Sequence, residues 1–324
     1  MVKLWKVILM IFGGITDGLN KLFGGLARNK TYNTRVGINA REEQMRIAAR
    51  GGNIDAQIRL ATAYAEGKGL AQDYGEAAHW FGEAAKRGDA GAQFSYGICL
   101  ANGQGVGQDY QSAIEWFRMS AEQGNTGAQV SLGLCLQKGL GMASDQKQAA
   151  VWFRKAAEAG DATGQVSLAA ALQAGRGTVK NEAEAAEWYR KAAAQGLAEA
   201  DFNLGKCYQD GLGVEVNQKE AFECFRRAAE QGVPQAEFEL GVCHYHGHGT
   251  GVDLGQAYTW ISLAAQRAIP AAVGVRDELK EQLSAEQIAQ GDKRVAELAP
   301  GRPKVTVLDP EFDEELRSPN EEVS

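Results

Sequence analysis

Apolar positions along most of this chain recur with one long period. From residue 53 to 268 the same arrangement returns every 36 residues without insertion or deletion. Fixed-period self-similarity of this length marks an array of one supersecondary unit. Each copy begins with a small residue (Ala56, Ala92, Ala128, Gly164, Ala200, Ala236). Four residues on stands Leu60, Tyr96, Leu132, Leu168, Leu204 or Leu240, followed by Ala or Gly. That spacing predicts a first helix, A, whose small residue after the Leu column lets another helix backbone approach. A Gly-x-Gly pair ends it: Gly67 and Gly69, then the equivalents up to Gly247 and Gly249. Glycine tolerates the positive φ that closes many helices.

A second helix, B, is predicted from Asp73, Asp109, Asp145, Asn181, Asn217 and Asp253, residues favoured at helix N-caps. Three residues on, five copies carry Glu or Gln, the pattern of a capping box. Ala77, Phe81 and Ala85 and their equivalents fall at i, i+4 and i+8, one buried stripe. A 36-residue unit is below the roughly 40 residues at which isolated domains usually need staples. Each copy must therefore bury its stripe against its neighbours. The fold class expected is all-α, a solenoid of stacked helix-turn-helix repeats.

Ends and charge complete the organisation. Arg41 to Gly52 matches half a repeat and reads as an N-terminal cap, preceded by a linker over 31–40. After 268 the pattern decays, and Ser284 to Gln287 opens a last capped helix. The domains expected are residues 1–35, a solenoid over 36–299, and an acidic tail over 300–324. Net charge is −7. Residues 1–35 carry six Lys or Arg against one Asp, and 300–324 carry three against seven acids. Nothing here is the basic footprint of a nucleic-acid binder.

The repeat pattern is Ala-x-x-x-Leu-Gly-x-x-Tyr, Gly-x-Gly-Val-x-x-Asp, Ala-x-x-Trp-Phe-x-x-Ala-Ala-x-x-Gly. In the fifth copy it is carried by Ala200, Leu204, Gly205, Tyr208, Gly211, Gly213, Val214, Asn217, Ala221, Phe225, Ala228, Ala229 and Gly232. It resembles the Sel-one-like repeat, a relative of the tetratricopeptide repeat, over about residues 41–298. The resemblance implies a right-handed α-superhelix and a non-enzymatic scaffold or adaptor role. The partner implied is a protein, with no catalytic residue, cofactor or metal. One branch of that family is secreted and pairs cysteines in each repeat; this chain lacks such pairs.

Candidate chemistry is sparse. Four of the five cysteines share one repeat position (Cys99, Cys135, Cys207, Cys243), alternating with Ala, which reads as a small apolar core slot. Cys224 takes a Trp position, and a Cys207–Cys224 bridge is the alternative to free thiols. His244, His246 and His248 form the one histidine cluster, read either as a metal or ligand site or as a core residue followed by polar turn residues. The Gly-x-Gly turns lack the preceding strand and following Lys of a phosphate loop.

Helix A is apolar on a second side as well. Phe94, Ile98, Val130, Leu134, Phe202, Lys206, Phe238 and Val242 fall there. Two readings follow: packing between adjacent A helices, or an open concave groove that takes an apolar partner segment. Beside this row run two polar columns, Gln57, Gln93, Gln129, Gln165, Asp201 and Glu237, then Arg59, Ser95, Ser131, Ser167, Asn203 and Glu239. Their acidic end is expected to favour a partner with basic flanks. Alternative functions are a membrane-tethered or envelope organiser and, further off, a hydrolase-like or ligand-sensing repeat protein.

Residues 1–30 place Leu4, Ile8, Ile11, Ile15, Leu19, Leu22 and Leu26 on one helical face. The segment reads as a signal or anchor, as an amphipathic helix on a membrane surface, or as a helix packed on the array. Location is membrane-associated or exported on the first two readings and cytoplasmic on the third. The basic, apolar segment suits anionic lipid. Flotation with liposomes should therefore carry the full chain and leave behind a chain starting at Asn39; equal flotation of both contradicts the membrane reading.

Overall fold

The computed structural model describes residues 35–267 and 269–301. Among these are fifteen α-helices, a closing 3-10 turn at Ala299–Gly301 and no strand. Helix α1 (Arg35–Arg50) comes first and begins six residues earlier than the half repeat at Arg41, inside the stretch read as a linker. Six helical pairs follow: α2 (Ile54–Glu66) with α3 (Tyr74–Lys86), α4 (Ala90–Asn102) with α5 (Tyr110–Glu122), and α6 (Thr126–Lys138) with α7 (Gln146–Glu158). Then come α8 (Ala162–Ala174) with α9 (Glu182–Ala194), α10 (Ala198–Asp210) with α11 (Gln218–Glu230), and α12 (Pro234–His246) with α13 (Leu254–Gln266). Helices α14 (Pro270–Gln282) and α15 (Ala285–Leu298) close the series. Residues 1–30 and the tail beyond Gly301, with the readings placed on them, lie outside the described residues.

The described residues divide into two compact units. One holds the chain through Ser167 together with Arg176–Thr178. The other holds Leu168–Gly175 and the chain from Val179 onward.

Every A helix stops at its first loop glycine. Gly67, Gly103, Gly139, Gly175, Gly211 and Gly247 have φ between 66° and 76°. The second glycine of each pair has a different task. A Cβ built on Gly105 would lie 1.9 Å from the Tyr74 carbonyl oxygen, at the start of helix α3 in the preceding repeat. Gly141 lies the same way against Tyr110, Gly177 against Gln146, Gly213 against Glu182 and Gly249 against Gln218. These glycines bring loop backbone onto helix backbone, which no side chain would allow.

Helix B is capped as expected on one side only. Asp73, Asp109, Asp145, Asn181, Asn217 and Asp253 each accept from the backbone N–H three residues on. The reciprocal half of the capping box is not made. Each cap's own N–H donates instead to a carbonyl near the end of helix A: Asp73 to Tyr64, Asp109 to Leu100, Asp145 to Leu136, Asn181 to Leu172, Asn217 to Tyr208 and Asp253 to His244, at 2.9–3.0 Å. Two of the glutamates expected to complete the box accept from a Trp one turn along the helix instead. Trp80 Nε1 donates to Glu76 at 3.0 Å and Trp188 Nε1 to Glu184 at 3.3 Å. A reciprocal box does form at Ser284 and Gln287, where sequence placed one.

The stripe Ala77, Phe81, Ala85 is buried, and Phe117, Phe153 and Phe225 are buried in later copies. The small residue after the Leu column receives these rings. A Cβ on Gly97, Gly133 or Gly205 would lie 2.5–2.6 Å from the ring of Phe117, Phe153 or Phe225. The clearance admits a side chain of the paired helix and its backbone as well: a Cβ on Gly97 would lie 3.4 Å from the Ala113 carbonyl oxygen, and one on Gly241 3.1 Å from the Ile261 nitrogen. At the start of the series, Trp80 and Phe81 pack with Met45, Ala48 and Ala49 of α1. Gln44 of α1 is exposed where the repeats carry Trp. At the other end Gly291 of α15 lies under the Tyr258 ring, whose hydroxyl donates to Asp292 at 2.8 Å.

Gly69 and Gly105 separate the two tasks of the loop. Both have positive φ, 81° and 74°, but nothing lies within 4 Å of a Cβ on Gly69. Gly69→Ala should cost about 1–2 kcal/mol for the left-handed backbone alone. Gly105→Ala should cost clearly more, because the backbone of Tyr74 must also move. Urea unfolding of both variants checks this; equal losses would mean the loop does not hold that spacing.

Candidate interaction surface

The second side of the A helices was the sequence's candidate site, and the two units treat it differently. In the first unit Phe94 and Val130 are buried. Phe94 packs on Phe117, ring centroids 6.0 Å apart, and its edge lies over Gly127 of the next A helix. Ile98 and Leu134, one turn further on, remain half-buried. In the second unit Phe202, Lys206, Phe238 and Val242 are all half-buried. Phe202 leans on Phe225 at 6.0 Å, and Phe238 on the cluster of Tyr258, Ile261 and Leu279. Lys206 reaches Glu239 of the next A helix at 3.5 Å, and Gln209 Nε2 donates to the same carboxylate at 3.3 Å.

The first polar column beside this row belongs to the interior. Gln57, Gln93, Gln129, Gln165, Asp201 and Glu237 are all at most 6% exposed. The amide nitrogens of the first four donate to the carbonyls of Ala49, Ala85, Ala121 and Ala157, at the end of the preceding B helix, at 3.0–3.3 Å. Asp201 is paired with Arg227 at 2.7 Å and Glu237 with Arg267 at 3.1 Å. The expectation of an acidic surface suited to basic flanks is therefore corrected for Asp201 and Glu237, while Glu239 of the second polar column is half-buried. The first two carboxylates are buried and each is met by an arginine of its own repeat, since an unpaired charge there would carry a large desolvation cost.

Family comparison agrees with this geometry. The Sel1 repeat model matches residues 54–89, 90–125, 126–161, 162–197, 198–233 and 234–268. The chain belongs to the Sel1 repeat family. It is similar to the solved structure of c5321, described as a protective antigen present in uropathogenic Escherichia coli strains displaying an SLR fold. Identity there is 30% over 86% of this chain and 67% of that one, with a TM-score of 0.55. It is also similar to a Sel1 repeat protein from Oxalobacter formigenes, at 29% identity over 69% of this chain and 99% of that one, TM-score 0.62. No curated protein matches the chain. The architecture is an all-α repeat solenoid, and Sel1 repeat proteins are generally interaction scaffolds and typically not enzymes.

The matched Sel1 repeats begin at the first turn of each A helix, directly after its N-cap position, which carries a side-chain cap in the first four copies and Leu197 or Val233 without one in the last two. Asn53, Asp89, Asn125 and Asp161 accept the N–H three residues on at 2.7–2.9 Å. The sequence reading passed over this column, although four Asn or Asp at one repeat position are a legible cap signal.

The remaining candidates for chemistry resolve into packing. All five cysteines are free and buried, so Cys207 and Cys224 form no bridge. Burial pushes the thiols up, to about 12 at Cys99, Cys135 and Cys243 and about 11 at Cys207 and Cys224. They stay protonated and poorly nucleophilic at neutral pH. His244 takes the position of Tyr64 and Tyr208, half-buried and edge-on to Phe222 at 5.3 Å. Burial holds its pKa below the usual value. His246 and His248 are exposed and stack at 5.2 Å. Among the described residues no group of three or more His, Cys, Asp or Glu is placed to hold a metal ion. No described helix is long and apolar enough to cross a membrane.

The Arg267–Glu237 pair gives a direct test of the interior reading. Their side chains are 9% and 0% exposed. Arg267→Ala leaves a buried carboxylate without its main cation and should cost about 3–5 kcal/mol. A loss below about 0.5 kcal/mol, the usual size for surface changes, would return Glu237 to the surface. Chemical denaturation at neutral pH makes the measurement.

Proposed function

We propose that this Sel1 repeat protein is a non-enzymatic scaffold that binds a segment of another protein along the second side of its A helices. The observation that carries the reading is the half-buried row Ile98 and Leu134 in one unit and Phe202, Lys206, Phe238 and Val242 in the other. Phe94 and Val130, on the same side of their helices, are buried. Half-buried apolar side chains on a rigid helical surface suit anchors of an apolar peptide. The Lys206–Glu239 pair offers that peptide polar contacts of both signs, in place of the basic-flank preference drawn from Asp201 and Glu237. The family's scaffold role and its typical lack of enzymatic activity support the same reading.

The test uses residues that lie on the row but outside the main core clusters. Peptides are selected from a displayed library on the full chain, and Kd is measured for the tightest of them. Ile98→Ser and Val242→Ser should weaken binding at least about tenfold, the equivalent of losing ~1.4 kcal/mol, and lower Tm by only a few degrees. Unchanged Kd in both variants would place the binding face elsewhere on the repeats.

A further inference from the structure

Helices α4 and α6 of the first unit are nearly free of charge. Helix α4 has no Asp, Glu, Lys or Arg, and α6 has only Lys138, its last residue. Packing between repeats does not impose this. Helix α2 of the same unit carries Asp55, Arg59 and Glu66 at this place in the repeat, and α10 and α12 carry charges as well. On the second side of α4 and α6 the half-buried side chains include Ser95, Ile98 and Leu134. Buried Phe94 of α4 reaches across to Gly127 of α6. The two helices therefore present a neutral, apolar strip. Charges seated there would lose hydration without gaining partners, so the strip suits an uncharged apolar segment.

The chain itself carries such a segment. Residues 7–16, which lie outside the described residues, read Val-Ile-Leu-Met-Ile-Phe-Gly-Gly-Ile-Thr, without a charge between Lys6 and Asp17. As a helix they would be about 15 Å long, enough to cross two helices packed at the usual ~8–10 Å. Ile8, Ile11 and Ile15 would then share one face. Gly13 and Gly14 make the run a poor helix in isolation, so helix formation and seating would be linked. The tail beyond Gly301 offers no equivalent, since its longest uncharged run is 305–308. The segment also has the reach: residues 17–34 join it to α1 at Arg35. Wholly helical, those residues would cover about 27 Å. One helical pair separates α1 from α4, about 20 Å at that packing distance.

We propose that residues 7–16 seat as a short helix across Ile98 and Leu134 of their own chain. This rests on the reading of that row as a peptide-binding face, and it makes the protein's own N-terminal segment the resident occupant. A tethered segment acts at an effective concentration of about 1 mM. With an intrinsic Kd of about 0.1 mM it fills the row in about nine chains of ten, and an outside peptide must displace it. A segment held there is withdrawn from lipid, so seating and flotation exclude each other.

Photo-cross-linking in the full chain tests this. p-Benzoylphenylalanine in place of Leu134, or of Ser95 where the first variant does not fold, should cross-link to residues 7–16 within a monomer, as mapped by mass spectrometry. Adding Ile11→Asp, which lies outside the repeats, should abolish that cross-link. A labelled peptide of residues 1–21 should bind the Ile11→Asp chain about tenfold more tightly than the unaltered chain, the factor set by the tether. Ile98→Ser should remove that gain. A cross-link found only between two chains, or none to residues 7–16 from either position, would overturn the proposal. Library peptides that bind the row, while residues 1–21 do not bind it even after Ile11→Asp, would overturn it as well and leave the scaffold reading standing. A cross-link within the monomer, on a row that takes no library peptide even after Ile11→Asp, would support it and end the scaffold reading instead.

Discussion

Backbone laid on backbone at the second loop glycine is the contact on which the repeats depend. A helical pair of 36 residues cannot bury its own apolar stripe, so each copy must sit against the one before it at a fixed distance. Gly105, Gly141, Gly177, Gly213 and Gly249 set that distance by admitting the first turn of the preceding B helix where a Cβ would collide. Everything else in the repeat is arranged to keep that loop in place. The first glycine ends helix A in the left-handed region, the Asp or Asn that follows caps helix B, and its N–H reaches back to helix A. The loop is thus closed by bonds at both ends.

Packing then follows from the small residue on helix A. Gly97, Gly133 and Gly205 make room for the ring of the paired B helix, and the Ala columns on both helices keep the rest of the contact close. This division of labour explains why Gly and Ala dominate the invariant columns inside this one chain, while larger residues vary. It also explains the free cysteines, which alternate with Ala in a slot that needs little volume.

Much of this was legible in the sequence because the six copies act as their own comparison. Period, helix pairing, both glycine columns, the B-helix caps, the Leu column and the Ser284 capping box were all readable from spacing. What was missed involved partners outside the local window. Glu76 looked like half of a capping box because sequence cannot show that the Asp73 N–H is already taken by Tyr64, nine residues back. The Gln57 column looked like surface because Gln, Asp and Glu are polar. Its glutamines donate eight residues back, and its acids meet arginines 26 and 30 residues on. Arg227 and Arg267 stand in the two copies in which acid replaces glutamine, but Arg87 also stands at the Arg267 position beside Gln57, so the pairing was not legible from spacing. The candidate binding row was legible as apolar, yet only the structure separates buried Phe94 and Val130 from half-buried Ile98, Leu134 and Val242.

If the repeat is the building unit, a whole one can be removed at its natural period and a fraction of one cannot. Deleting residues 126–161 joins Asn125 to Ala162 and preserves the cap, the loop contacts and the phase of every later column. Circular dichroism and thermal melting of this deletion, beside a deletion of 126–143, give the most direct measurement. The account predicts that the 36-residue deletion keeps its helical signal per residue and a cooperative melt, while the 18-residue deletion loses the cooperative melt. Loss of cooperative folding in the first, or its retention in the second, would contradict the claim that contacts between phased repeats hold this protein together.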